Sequence, residues 1–69
     1  MKTLHQRLQT LEQQGRSYLL DWITMKNNFV YRNAYVLQHD EGSVLIQQEG
    51  KNEVLINLDE IASVQIVPT

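Results

Sequence analysis

The sequence has no cysteine, one proline and three glycines among its 69 residues. The absence of cysteine excludes disulfide bonds and thiolate metal sites. The only histidines, His5 and His39, lack the spacing of a metal-binding pair, so we expect neither a metal nor a cofactor. No apolar run approaches the length of a membrane span, and no apolar signal region precedes the first predicted helix. We therefore expect a cytoplasmic protein with no membrane partner.

Charged residues are few and scattered along the chain. The formal net charge is −2, and no run of like charge occurs. This balance counts against a basic nucleic-acid-binding arm, because phosphate binding is driven by lysine and arginine. The sequence shows no arrangement of nucleophile, base and orienting acid, so we expect no catalytic residues and no enzymatic activity. The length predicts a single domain that spans residues 1–69.

The first predicted element is an amphipathic helix at residues 4–14. Leu4, Leu8 and Leu11 recur at helical spacing and form one apolar stripe, while the other faces are polar. Gly15 follows, and glycine is suited to the left-handed conformation that ends many helices. An isolated helix this short is marginal in water, so the leucine stripe must lie against another apolar surface.

From residue 17 onward the apolar residues alternate with a period of two, which indicates β-strands. The predicted strands are residues 17–25, 29–39, 43–48, 53–58 and 62–67. Alternation places Leu20 and Trp22 on one face of the first strand and Ile23 on the other. The second strand is long for a small domain, and we expect it to bend at Asn33-Ala34. This order predicts a mostly β fold, with an N-terminal α-helix followed by a five-stranded, strongly bent antiparallel sheet.

Several short segments carry a resemblance to a known family. They are the turn at residues 26–28, the run 36–40 that ends in Asp40, the strand at 43–46, and the turn and closing strand at 58–61 and 64–68. With a helix in front of five short, bent strands, this layout resembles the Sm-like family and, within it, the bacterial Hfq branch. The resemblance implies a small SH3-like or Sm-like barrel, a cyclic homo-oligomer, and binding of single-stranded RNA in post-transcriptional regulation.

Under this resemblance, RNA would bind on one face of the ring through base stacking and phosphate contacts. The predicted RNA-binding residues are Tyr31, Arg32, Lys26, Asn28, Arg16 and Arg7. Tyr31 beside Arg32 is the predicted stacking patch, because stacking next to a cation is a recurrent mode of RNA recognition. The same aromatic residues could instead pack in the core or at a subunit interface, and the arginines could belong to a solvated helix face.

The last two strands predict a contact between copies of the chain. A domain of this size is marginal alone and usually needs a further source of stability. These strands carry more apolar side chains than one face of a small sheet can bury, and an apolar edge tends to pair with another chain. The predicted subunit interface comprises Val54, Leu55, Ile56, Val64, Ile66 and Val67. In Sm-like rings the fourth strand of one subunit pairs with the fifth strand of the next, which closes a ring.

One departure from the Hfq branch leaves a second function open. The Lys-His pair that reads uridine in that branch corresponds here to the acidic turn Leu58-Asp59-Glu60, which would repel phosphate. The alternative function is therefore a protein-binding regulatory or assembly module with the same fold and no RNA binding. A third possibility is a plain SH3-like domain from a phage or mobile element, in which the barrel is only a scaffold for assembly.

Overall fold

The architecture consists of one helix followed by five strands, as the sequence predicted. The structure, a computed structural model, describes residue 1 and residues 3–69. It contains α1 (Thr3–Gln13), β1 (Tyr18–Met25), β2 (Val30–His39), β3 (Ser43–Gln48), β4 (Glu53–Asn57), a 3-10 helix (Leu58–Glu60) and β5 (Ile61–Pro68). Every helix and strand boundary lies within one residue of its predicted position. Among the described residues, no helix combines the length and the apolar character needed to cross a membrane.

Helix α1 packs on the sheet through the predicted leucine stripe, which is buried in the same apolar cluster as the sheet residues. The helix ends at Gly15, whose φ of 69° lies in the left-handed region. The Gly15 N–H donates to the carbonyl of Glu12 (3.0 Å), and the Arg16 N–H donates to the carbonyl of Leu11 (3.0 Å). These are the two hydrogen bonds of a Schellman motif, so the predicted helix stop is confirmed.

The strands form one antiparallel sheet in the order β4-β3-β2-β1-β5. Consecutive strands β1 to β4 are joined by short turns, and β5 returns to pair with β1. The mostly β fold class is confirmed. The sheet does not close on itself, however, and β4 and β5 are its two edge strands. Each of these edges therefore presents a row of backbone groups without a partner strand.

An irregularity in β1 decides which side chains face the core. Against β5, the register of β1 shifts between Leu20 and Trp22, which makes Asp21 an extra residue. Leu20 and Ile23 are consequently both fully buried, whereas Trp22 is exposed. The prediction that Leu20 and Trp22 share a face was wrong, because the extra residue changes the alternation after Leu20.

Strand β2 is interrupted at two places. Asn33 has a φ of 52°, a left-handed conformation that departs from extended geometry at the predicted bend. The neighbouring Ala34 is fully buried and pairs with Gln48 of β3. The pairing with β3 then shifts register between Val36 and Gln38. These two irregularities let one long strand follow a strongly bent sheet.

The core is a single aliphatic cluster between α1 and the sheet. Its buried members are Leu4, Leu8, Leu11, Leu20, Ile23, Ala34, Val44, Ile46, Ile56, Leu58 and Ile61. All five aromatic side chains lie outside this buried set (Tyr18 and Tyr31 pack partly against it). The large aromatic surfaces are therefore available near the surface of the molecule.

Asp40 holds the turn between β2 and β3. Its Oδ1 accepts hydrogen bonds from the N–H groups of Gly42 and Ser43, both at 2.8 Å, and from the Ser43 hydroxyl at 3.2 Å. The two backbone N–H groups hold the pKa of the exposed Asp40 carboxyl below its usual value. The Gly42 carbonyl in turn accepts from the Leu58 N–H at 3.0 Å, which fixes this turn against the 3-10 helix.

Candidate functional site

An aromatic ring and a cation lie together on the face of the sheet that is turned away from the core. Trp22 of β1 and Arg32 of β2 are directly paired across the two strands. The Arg32 guanidinium carbon lies 4.5 Å from the centre of the Trp22 ring, which is a cation–π contact. Trp22 is 39% exposed. The extra residue Asp21 puts Trp22 on this outer face, so the pair depends on the irregularity in β1.

An open cleft of about 430 Å³ lies next to this pair and shares Arg32 with it. The cleft is lined by Leu19, Arg32, Asn33, Tyr35, Gln48, Glu49 and Lys51. Tyr35 is 50% exposed and presents an aromatic surface to the cleft. The Gln48 side-chain amide donates to the Arg32 carbonyl at 2.8 Å, which holds the end of β3 against the bend in β2.

Trp22, Arg32, Tyr35 and Lys51 form what we call the outer-face cluster. It offers two exposed aromatic surfaces and two cations, with Glu49 as the carboxylate of the cleft. Aromatic faces stack with bases of any sequence, and lysine and arginine bind phosphate oxygens. The cluster thus combines the two kinds of group that bind a single strand of nucleic acid.

The predicted stacking patch of Tyr31 and Arg32 does not exist as such. Tyr31 pairs with Ile23, a core residue, and is half-buried, whereas Arg32 pairs with Trp22 on the opposite face. Tyr31 packs edge-to-face against Phe29, with ring centres 4.9 Å apart. Adjacent residues of a strand point to opposite faces, so the correction follows from the pleat of β2. The sequence favours Tyr31 because it stands next to Arg32 and follows the Asn27-Asn28 turn.

The other predicted RNA-binding residues lie in two further places. Lys26 and Asn28 are exposed in the β1–β2 turn, where Asn28 has a φ of 70°. Arg7 and Arg16 line a small cleft between α1 and β5, together with the partly exposed Ile66. The structure therefore brings Arg7 and Arg16 to one cleft and places Arg32 in another.

The predicted interface residues lie on the two edge strands. On β4, Leu55 is 69% exposed and Val54 is partly exposed, but Ile56 is only 3% exposed. Ile56 is thus a core residue whose side chain is not available to another copy, because it is buried on the core face beside Val44 of β3, its cross-strand partner. On β5, the side chains of Val64, Ile66 and Val67 are all partly exposed. Val64 and Ile66 line a shallow cleft with Leu4 and Arg7 of α1.

A polar network joins the helix to the sheet on the core side. His5 of α1 and His39 of β2 approach through their Nδ1 atoms at 2.7 Å. The His39 Nε2 lies 3.0 and 3.1 Å from the two carboxylate oxygens of Glu12. The Tyr18 hydroxyl donates to Glu12 Oε2 at 2.6 Å. The side chain of His39, the last residue of β2, is only 7% exposed, so this residue is largely enclosed.

The network changes the pKa values of two of its members. The hydrogen bond from Tyr18 is the main cause that lowers the pKa of Glu12, and His39 acts in the same direction. Burial, followed by the hydrogen bond to Glu12, raises the pKa of Tyr18. Near neutral pH, Glu12 is therefore an ionised acceptor and Tyr18 keeps its proton. In the described part of the chain, no three histidine, aspartate or glutamate side chains are arranged to hold a metal ion.

Comparisons with family models, with curated proteins and with solved structures gave no match to this chain. The class that the fold and the site define is a small, mostly β domain with two open sheet edges and an aromatic, cationic cluster on its outer face. A functional conclusion has to rest on these features and on the resemblance in the sequence.

Proposed function

We propose that the chain is an Sm-like, Hfq-like ring protein of the cytoplasm that binds single-stranded RNA without catalysing a reaction, in post-transcriptional regulation. The observation that carries the proposal is the outer-face cluster, in which Arg32 links the Trp22 ring to the Tyr35 cleft. Single-strand binders combine aromatic stacking platforms with a cationic path for the backbone, often on the face of a sheet.

Exposure of the rings supports the stacking role. A half-exposed tyrosine and a tryptophan under a guanidinium are large apolar surfaces that a base can cover. Each stacked base contributes about 1–3 kcal/mol by alanine substitution. Arg32 and Lys51 lie at the same cleft and can contact phosphates, while the charge of the whole chain is negative. We therefore expect weak binding by one subunit, and tighter binding when several copies present the same cluster to one strand.

The open sheet edges support the ring. The strands at the edges are β4 and β5, which are the two strands that pair between subunits under the Sm-like resemblance. Leu55 projects from one edge, and the shallow cleft with Val64 and Ile66 lies at the other. Pairing of unlike edges is a head-to-tail contact, which closes into a ring when the rotation fits.

The alternative is a protein-binding regulatory or assembly module on the same fold. The net charge of −2 and the exposed Asp59 and Glu60 of the 3-10 helix favour it, because both disfavour phosphate. This alternative needs the sheet edges but does not need the outer-face cluster.

RNA binding is tested by fluorescence anisotropy with short A-rich and U-rich oligoribonucleotides at low salt and at increasing salt. Contacts from Arg32 and Lys51 predict a slope of log affinity against log salt of about −1.4 per subunit, at about 0.7 per phosphate. Arg32→Gln should reduce this slope by about half, and Tyr35→Ala should weaken binding roughly 5- to 150-fold. Arg16→Gln is the matched control, since it removes the same charge from the other cleft.

Undetectable binding by the wild-type chain at low salt would contradict RNA binding. The protein-binding module would then be the proposed function that remains. Loss of binding in Arg16→Gln with no effect of Arg32→Gln would move the site to the cleft between α1 and β5.

The ring is tested separately by light scattering at micromolar concentration. We expect a mass several times that of one chain, and Leu55→Glu should reduce it by placing a charge on the β4 edge. Leu37→Glu is the control, because Leu37 is also about half exposed but belongs to the central strand β2. A monomer mass for the wild-type chain would contradict the ring without bearing on RNA binding by the cluster.

A further inference from the structure

We propose that His5 and His39 form a proton-binding site that fastens helix α1 to the end of β2. The pair keeps its mutual hydrogen bond with no added proton or with one, and loses it when both imidazoles are cationic. This inference is independent of the proposed function, because none of its residues belongs to the outer-face cluster or to the predicted interface.

The geometry joins three separate parts of the chain. His5 lies in the first turn of α1, Glu12 lies in the last, and His39 ends β2 between them. Tyr18, the first residue of β1, donates to Oε2 of Glu12, the carboxylate oxygen that also lies 3.0 Å from the His39 Nε2. Because His5 and Glu12 are seven residues apart, they lie on one side of the helix, and His39 contacts both.

The hydrogen-bond partners decide where the protons are. Ionised Glu12 only accepts, so the His39 Nε2 must carry the proton that it donates to Glu12. A neutral His39 then has a bare Nδ1, and the 2.7 Å contact requires His5 to donate from Nδ1–H. One added proton fits on the pair, since either ring can become the cation and donate to the bare Nδ1 of the other. A second added proton places two N–H groups against each other with no acceptor between them.

The surrounding charged groups favour the first added proton, but none of them supplies an acceptor between the two Nδ1–H groups that a second added proton creates. Glu12 from α1 attracts positive charge on both rings, and Asp40 from the β2–β3 turn acts on His5. Tyr18 from β1 keeps its proton, because its pKa is raised. The carboxylate of Asp40 already accepts from Gly42 and Ser43 and is not a partner of either ring nitrogen at the contact.

The sign of the stability effect follows from proton counting. The unfolded chain can bind one added proton on each imidazole, whereas the hydrogen-bonded His5–His39 pair can bind only one in total. Acidification past the second protonation therefore favours states in which the His5–His39 hydrogen bond is broken. The contact between α1 and β2 then rests on the leucine stripe and on the hydrogen bond from the His39 Nε2–H to Glu12, which a cationic His39 still donates. We therefore expect the first turn of α1, which carries His5, to loosen from β2 on acidification before the whole domain unfolds.

The test is nitrogen NMR of the histidine side chains of the full chain across a pH titration. We expect His5 as the Nδ1–H tautomer and His39 as the Nε2–H tautomer at neutral pH. The two rings should titrate in two separated steps, and the second step should shift the backbone signals of Leu8 of α1, whose side chain is fully buried against the sheet. His5→Gln and His39→Gln each leave one histidine, which should titrate in a single step.

Three results would overturn the proposal. The first is a common titration step for both rings in the wild-type chain. The second is a His5 ring whose Nδ1 is bare at neutral pH. The third is a His39 titration that is unchanged by His5→Gln. The tautomer measurement needs no substitution, so it remains decisive if a variant fails to fold.

Discussion

Asn33 offers the sharpest test of how β2 bends. Its side chain is exposed and its φ is 52°, in a region that L-residues with a Cβ rarely adopt. In an ordinary strand, glycine is less stable than alanine by about 0.5–1 kcal/mol, because it loses more backbone freedom on folding. In the left-handed conformation, a Cβ costs roughly 1–2 kcal/mol. The structure therefore predicts that at position 33 glycine is more stable than alanine, which reverses their usual order of stability in a strand.

The magnitude follows from these two opposing effects. At the middle of both ranges, Asn33→Gly should be more stable than Asn33→Ala by about 0.8 kcal/mol. In a domain of this size, that difference raises Tm by roughly 3–6 °C. Gln65 is the control position, because it is exposed on β5 and is not among the positive-φ residues. There, Gln65→Ala should be more stable than Gln65→Gly by about 0.5–1 kcal/mol.

Thermal and urea unfolding of the four variants, followed by circular dichroism, measures both differences. Subtracting the control pair isolates the cost of the left-handed conformation, which should be about 1–2 kcal/mol. If alanine is the more stable residue at both positions, Asn33 is not held in a left-handed conformation, and the account of the bend fails.

The leucine stripe, the helix end and the Asp40 turn give three further predictions. Leu8→Ala should lower the free energy of unfolding by about 2–5 kcal/mol in urea titrations, because Leu8 is fully buried between helix and sheet; a loss below about 1 kcal/mol would contradict that packing. Gly15→Ala should cost about 1–2 kcal/mol for its left-handed φ alone, since no atom lies within 4 Å of an added Cβ, and Gly15→Asn should cost less. The lowered pKa of Asp40 stabilises the fold above the unfolded-state pKa, and this contribution is lost as the pH falls through the folded-state pKa. Asp40→Asn should therefore flatten the acidic part of the Tm–pH profile. An unchanged profile would contradict a stabilising role for the Asp40 carboxylate.

The helix and strands were predictable because their signals are local. The spacing of Leu4, Leu8 and Leu11 marks one helix face, and Gly15 marks its end. Strand boundaries followed from turn residues that either accept hydrogen bonds from nearby backbone groups, as Asp40 does, or tolerate positive φ, as Asn28 does. Each of these signals involves neighbours in the chain, so no knowledge of the folded molecule was needed.

The facing of side chains was harder to predict because it depends on pairing between strands. Alternation fails at Asp21, where β1 gains a residue relative to β5, and nothing in the local sequence marks that shift. For this reason, the sequence did not predict that Trp22 lies on the outer face. Tyr31 was therefore the stacking candidate that remained beside Arg32. The presence of Arg32 opposite a tryptophan is visible only once the register of β1 and β2 is known.

The histidine network could not be foreseen from sequence at all. His5 and His39 are separated by 34 positions, and neither has a neighbour in the chain that suggests a contact. Only the folded molecule shows that Glu12 and Tyr18 complete the arrangement.

The most direct test of RNA binding at the outer-face cluster uses the only tryptophan in the chain. Trp22 lies in the cluster under Arg32, so its fluorescence reports on a base that stacks there. Titration of the full chain with a single-stranded oligoribonucleotide at low salt should give saturable quenching that weakens as salt rises. Tyrosine signals from elsewhere do not interfere when the tryptophan is excited selectively. If the oligomer leaves Trp22 fluorescence unchanged, the outer-face cluster does not bind RNA.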